Sequence, residues 1–122
     1  MNALVEADRV QLLQGDFVDV NVPSPSGKNQ RISRCPSCQV AVWSYYLAMR
    51  GGIAELVRFI RVGTLDDPGA VPPDVHIFTS SKMPWVTLPP DALAVDEYYV
   101  AEEVWRDESL ERRAALLKLV QN

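Results

Sequence analysis

The sequence predicts a mainly β protein with one C-terminal helix, and three observations carry that expectation. Valines alternate with polar residues in "VDVNV" (18–22), a period of two. β-Branched and aromatic residues crowd "QVAVWSYY" and "ELVRFIRV", and clusters of Gly, Pro and Asp separate such runs. Helical spacing of apolar residues is convincing only in "DESLERRAALLKLV" (107–120).

In chain order, "RVQLLQGDFVDVNV" (9–22) reads as two strands about a Gly15-Asp16 turn. "PSPSGK" (23–28) is a turn cluster, so a hairpin is expected to return through "NQRISR". The "RCPSC" bracket follows, where the fixed φ of Pro36 suits a tight turn. "QVAVWSYYLAM" is the next strand and breaks at Gly51-Gly52. "ELVRFIRVGTL" (55–65) has so few polar residues that both of its faces are expected to be covered. "DDPG" and "VPPD" then punctuate a loop, and "VHIFTSS" (75–81) reads as a further strand. "KMPWVTLPPDALAVDEYYVAEEV" carries three prolines and reads as an extended surface segment. In the final helix Asp107 is the expected N-cap. Glu108 and Glu111 lie toward the positive end of its dipole and Lys118 toward the negative end. Leu110, Ala114, Leu117 and Val120 form a stripe expected to dock on the sheet.

A chain of 122 residues suits a single domain over 1–122, and neither a repeat nor a long linker interrupts it. Sixteen acidic residues outnumber twelve basic ones, for a net charge of −4, which argues against a nucleic-acid partner. The modest cluster of Lys28, Arg31 and Arg34 reads as a solvated strand face. No apolar run approaches the ~20 residues that span a bilayer, so no membrane partner is expected. "MNALVEADRVQ" lacks the basic and apolar regions of an export signal. Two cysteines in such a chain suit a reducing compartment, with the cytoplasm as the default.

Both cysteines, Cys35 and Cys38, stand in one C-x-x-C bracket. Two thiolates on a tight turn between strands supply half of a tetrahedral zinc site. Two alternatives stay open: a redox pair, which normally opens a helix, and two unliganded core thiols. His76 is the single histidine, so one chain cannot supply a site of four cysteines. A site of two cysteines and one histidine would need a carboxylate, a water or a second subunit to complete it. A lone histidine in an apolar stretch is more often a hydrogen-bonded structural residue. Asp66-Asp67 before Pro68 reads as a turn before it reads as a carboxylate pair. "TSSKMPW" (79–85) combines hydroxyls, an amine and an indole that could grip a carboxylate-bearing ligand. A strand end with Trp85 in the core explains that segment equally well. Lys82 and Trp85 of that segment, together with His76 ahead of it, are kept as the candidates for substrate binding.

Taken together, "RISRCPSCQVAVWS", "IRVGTLDDP" and "HIFTSSKMPWVTLP" resemble the glutathione-dependent formaldehyde-activating enzyme family, which includes centromere protein V. Its members show a Cys-x-x-Cys-Gly knuckle, an apolar strand ending in "GTLDDP", a "HIW…SKLPW" stretch and an acidic "EYY" tail. Order and spacing match over residues 3–115. The resemblance implies a β-tent-like fold of sheets joined by a zinc knuckle. It also implies a carbon–sulfur lyase that adds glutathione to formaldehyde, giving S-hydroxymethylglutathione. Such enzymes use a structural zinc, held by an N-terminal Cys-x-Cys and by the knuckle that Cys35 and Cys38 match. A catalytic zinc is held by three cysteines of a second N-terminal cluster.

Both N-terminal clusters would lie ahead of Met1, so the domain is expected to be truncated relative to the family. The catalytic zinc is then expected to be missing, the structural zinc incomplete or absent, and the activity impaired. Gln39 stands where the knuckle usually has Gly. Glutathione is the small-molecule partner that the resemblance suggests. The alternative is a non-catalytic binding or oligomerisation module that kept the fold. Strand edges without their N-terminal partners invite pairing, so a homo-oligomer is expected, two copies sharing one zinc through Cys35 and Cys38.

Overall fold

Five strands make one antiparallel sheet in the computed structural model, which describes residues 1–121. They are β1 (Asn2–Glu6), β2 (Val18–Val22), β3 (Gln30–Arg34), β4 (Ala41–Tyr46) and β5 (Val57–Arg61), in the spatial order β1-β5-β4-β3-β2. The mainly β expectation holds, with a single long helix, α2 (Asp107–Gln121), at the C-terminal end. A one-turn helix, α1 (Ala101–Val104), precedes it within the segment expected to be extended. No helix among the described residues is long and apolar enough to cross a membrane.

The chain divides into two compact units. The first comprises Met1–Val71 with the chain from Leu116 onward, and the second comprises Pro72–Ala115.

In the first unit the expected meander is present: β2 returns through the Ser24–Gly27 turn into β3, and β3 through the cysteine turn into β4. The register shifts between Ser33 and Arg34, a bulge beside the cysteine turn. One expected pairing is replaced. Residues 10–17 form no strand, and the sheet's first strand is instead β1, whose five residues pair with β5 from Asn2↔Arg61 to Glu6↔Val57. The apolar residues around Gly15 suggest a strand, but Phe17 packs on Trp43 and Leu12 lies beside the same cleft, so the segment covers a face of the sheet and does not extend its edge.

Register sorts the side chains of the sheet into two faces, because neighbours along a strand point opposite ways. Leu4, Ser44 and Phe59 share one face. There Ile53, Val57 and Phe59 form the buried core, against which Leu4, Tyr46, Met49 and Leu56 pack, together with Leu116 and Leu117 of α2. Trp43, Tyr45 and Ser33 share the opposite face and are also buried. The central strands are thus covered on both sides, as β5 led us to expect.

The helical stripe is shifted from the one expected: Leu116 and Leu117 dock, while Ala114 and Val120 are exposed. Asp107 is not the cap. The first helical hydrogen bond runs from the Leu110 amide to the Arg106 carbonyl, which makes Arg106 the capping position and Asp107 the first helical residue. There its carboxylate still faces the positive end of the dipole. Gly51 (φ 84°) turns the chain under this helix, and a Cβ there would overlap the Leu117 side chain.

In the second unit the expected strand over 75–81 is reduced to one parallel bridge, His76↔Ala94. Phe78 adopts a left-handed conformation (φ 55°), and a single 3-10 turn, Thr79–Ser81, follows. The amides of Phe78, Thr79 and Ser80 donate to the carbonyls of Glu97, Val95 and Asp96, so turn geometry replaces a ladder.

Candidate functional site

The cysteine turn is built by its backbone. The Cys35 amide donates to the Val40 carbonyl at 3.0 Å, and the Gln39 amide donates to the Cys35 carbonyl at 2.9 Å. This closes a tight loop between β3 and β4. Gln39 has φ 63°, a left-handed conformation that glycine takes without steric cost. Its side-chain amide donates to the Pro36 carbonyl at 3.1 Å, and Arg34 Nη1 donates to the Gln39 carbonyl at 2.8 Å. Local hydrogen bonds therefore hold a non-glycine residue in the position where the family usually has Gly.

Both thiols are free; Cys35 is half-buried and Cys38 exposed, so the core-thiol alternative does not hold. The Cys35 thiol is held below the usual thiol range, first by the Cys38 amide N–H and then by the Ser37 amide N–H, both directed at its sulfur. Backbone donors that favour a thiolate are what a metal-binding knuckle needs. Strand β4 follows the turn, so no helix N-terminus activates the pair in the manner of a redox C-x-x-C.

The metal chemistry stops there. Among the described residues no three His, Cys, Asp or Glu side chains are grouped so as to hold a metal ion. Two cysteines supply no more than half the ligands of a tetrahedral thiolate site, and they cannot make the three-thiolate catalytic site that the resemblance implies. Asp66 and Asp67 lie exposed in the turn before Pro68, with the Ala70 amide donating to the Asp67 carbonyl.

The three substrate-binding candidates all fall in the second unit. His76 is half-buried, its amide donating to the Leu93 carbonyl and its carbonyl accepting from the Val95 amide. Lys82 is exposed, and its Nζ donates to the Val86 carbonyl at 3.1 Å. Trp85 is 79% exposed, which corrects the reading that put it in a core. It follows Pro84 in a turn closed by the Val86 amide on the Met83 carbonyl, and the turn carries the indole outward.

A further polar group was not apparent from sequence. On the Trp43–Tyr45 face of the sheet lies a cleft of about 290 Å³, into which Asp19, Arg31, Ser33 and Arg58 also project. Arg31 Cζ lies 4.5 Å from the Tyr45 ring centroid, and Arg58 Cζ lies 4.5 Å from that of Trp43. Each strand shows its polar or aromatic residues at alternate positions, which is the only trace the cleft leaves in the sequence. Bringing Arg31 beside Tyr45 and Arg58 beside Trp43 requires the register of three strands.

The family model described as glutathione-dependent formaldehyde-activating enzyme matches residues 1–81. No match was found among curated proteins or solved structures. The match covers the whole sheet, the cysteine turn, the "GTLDDP" turn and the His76–Ser81 segment. On that ground the chain belongs to the glutathione-dependent formaldehyde-activating enzyme family.

Proposed function

We propose that this chain keeps the scaffold of a formaldehyde-activating carbon–sulfur lyase and does not by itself accelerate the addition of glutathione to formaldehyde. One observation carries this reading. Both cysteines lie in one turn, and no third donor joins them among the described residues. A catalytic zinc of the family type needs three thiolates, so we derive no step through it. The test is to incubate the purified chain with zinc, glutathione and 13C-formaldehyde and to follow S-hydroxymethylglutathione by NMR exchange. The rate should equal that of the uncatalysed reaction. Zinc-dependent acceleration that disappears in Cys35→Ser would overturn the proposal. His76, Lys82 and Trp85 remain the candidate contacts for glutathione, and loss of glutathione binding in Lys82→Ala would support that assignment.

The second reading is a non-catalytic homo-oligomeric module, favoured by the β2 edge. β2 ends the sheet with a row of backbone groups unpaired among the described residues, and Val18 and Val20 on it are 42% and 37% exposed. Two copies would together offer four thiolates from Cys35 and Cys38, the number a structural zinc takes. Metal analysis should then find about one zinc per two chains. A monomer by light scattering at micromolar concentration, with zinc present, would remove this reading. A chain with only two cysteines, both in one bracket, suits a reducing compartment such as the cytoplasm.

A further inference from the structure

We propose that the cleft on the Trp43–Tyr45 face binds a small organic acid, its carboxylate on Arg31 and Arg58 and its planar or apolar body against Leu12 and Phe17. Arg58 donates from Nε to the Tyr45 hydroxyl at 2.8 Å and from Nη1 to the Val10 carbonyl at 3.2 Å. Arg31 donates from Nη1 to Glu55 at 3.0 Å. Nη2 of each makes no hydrogen bond within the described residues. Arg31 Nε is buried and has no acceptor either, since Asp19 Oδ2 lies 4.0 Å away. A shielded guanidinium donor without an acceptor is unfavourable, and an anion that supplies one relieves the cost.

Charge and shape narrow the ligand. Asp19 is the one carboxylate lining the cleft, and its Oδ1 already accepts from Ser33 Oγ at 2.6 Å. Asp19 and Glu55 both lie beside Arg31, whereas Arg58 has only neutral partners, the Tyr45 hydroxyl and the Val10 carbonyl, so the charge left without a carboxylate is that of Arg58. Both arginines lie against rings, so the faces that would attract an organic cation are already taken by cations of the chain. What remains are guanidinium edges, whose planar fork matches a carboxylate. Phe17 closes against Trp43 with ring centroids 4.3 Å apart, and Leu12 adds an apolar wall, which suits an organic body better than an inorganic ion. The volume lies near the lower bound for small-molecule sites. None of these residues is a thiol, so binding in the cleft does not depend on the fate of the formaldehyde chemistry.

The test is a titration of the 15N-labelled full chain with sodium benzoate, with benzamide as the uncharged isostere and inorganic phosphate as the bare anion. Benzoate should shift the Trp43 indole and Arg58 Nε resonances saturably in the millimolar range. Benzamide and phosphate should do so far more weakly. Arg31→Gln and Arg58→Gln should each weaken benzoate binding by about tenfold or more, the size expected for a charge-assisted hydrogen bond. Should either variant unfold by circular dichroism, the comparison of benzoate with benzamide on the unaltered chain decides. Absence of saturation, equal binding of benzamide or phosphate, or wild-type affinity in both folded variants would overturn the inference.

Discussion

The two units of this chain are stabilised in different ways. Among the described residues, every buried one lies in the first unit: Ile32, Ser33, Trp43, Ser44, Tyr45, Ile53, Ala54, Val57, Phe59 and Val62. The second unit has turns, one isolated bridge, α1, the part of α2 up to Ala115, and the exposed rings of Phe78, Trp85 and Tyr98. The first is a sheet with a hydrophobic core, where non-local pairing and burial decide the structure. In the second, hydrogen bonds among main-chain groups fix the path of a proline-rich chain, and side chains contribute little burial. Catalytic or binding groups need rigid support, which favours the first unit as the place for precise chemistry.

Core truncation tests this contrast most strongly. Phe59→Ala removes a buried ring that packs edge-on to Tyr46 at 4.5 Å, and it should destabilise the protein by about 3–5 kcal/mol in urea unfolding. Trp85→Ala should change stability by no more than about 0.5 kcal/mol. Equal losses at the two positions would break the distinction between the units. Two glycines of the first unit sharpen it. Gly15→Ala and Gly51→Ala both place a side chain at positive φ, which costs about 1–2 kcal/mol. Only at Gly51 does the new Cβ meet Leu117, so Gly51→Ala should be the more destabilising of the two in the same assay.

Smaller effects are expected at the cysteine turn. Gln39→Gly removes the left-handed strain at φ 63° and should raise stability by about 1 kcal/mol, less whatever the Gln39–Pro36 hydrogen bond contributes. The smallest effect concerns reactivity. A lowered Cys35 pKa means that the thiolate appears at lower pH than in an ordinary cysteine. The rate of Cys35 alkylation by iodoacetamide, followed in Cys38→Ser, should therefore reach half its plateau below the midpoint of an unstructured cysteine peptide. Removing Cys38 also removes one small contribution, from the Cys38 thiol, but leaves the dominant amide donors in place. A midpoint at or above that of the peptide would show that those donors do not stabilise the thiolate.

Local sequence reported some of this structure and could not report the rest. β3, β4, β5 and α2 are legible because each carries its own period and its own stop: turn residues, Gly51-Gly52, or acidic residues in the first helical turn. β1 is not, because its strand character comes from β5, more than fifty residues away in the chain. Residues 75–81 mislead for the opposite reason. Their apolar content suggests a strand, but Phe78 in a left-handed conformation ends any extended run. The cysteine turn could be read from spacing, and the awkward residue at Gln39 from the resemblance to the family's knuckle. The cleft could not, since Arg31, Trp43 and Arg58 become neighbours only through strand register.

The pairing of β1 with β5 also bears on how the chain acquires its structure. As the polypeptide leaves the ribosome, β2, β3 and β4 can join in sequence, each finding its partner within a short stretch. β1 must wait with its pairing groups unsatisfied until β5 has emerged. Such long-range closure slows folding. Once it has emerged, the β5 edge can take any copy of "NALVE", including one from a neighbouring nascent chain. Exchange of the first strand between two molecules is thus the characteristic misassembly to look for when this protein is made at high concentration.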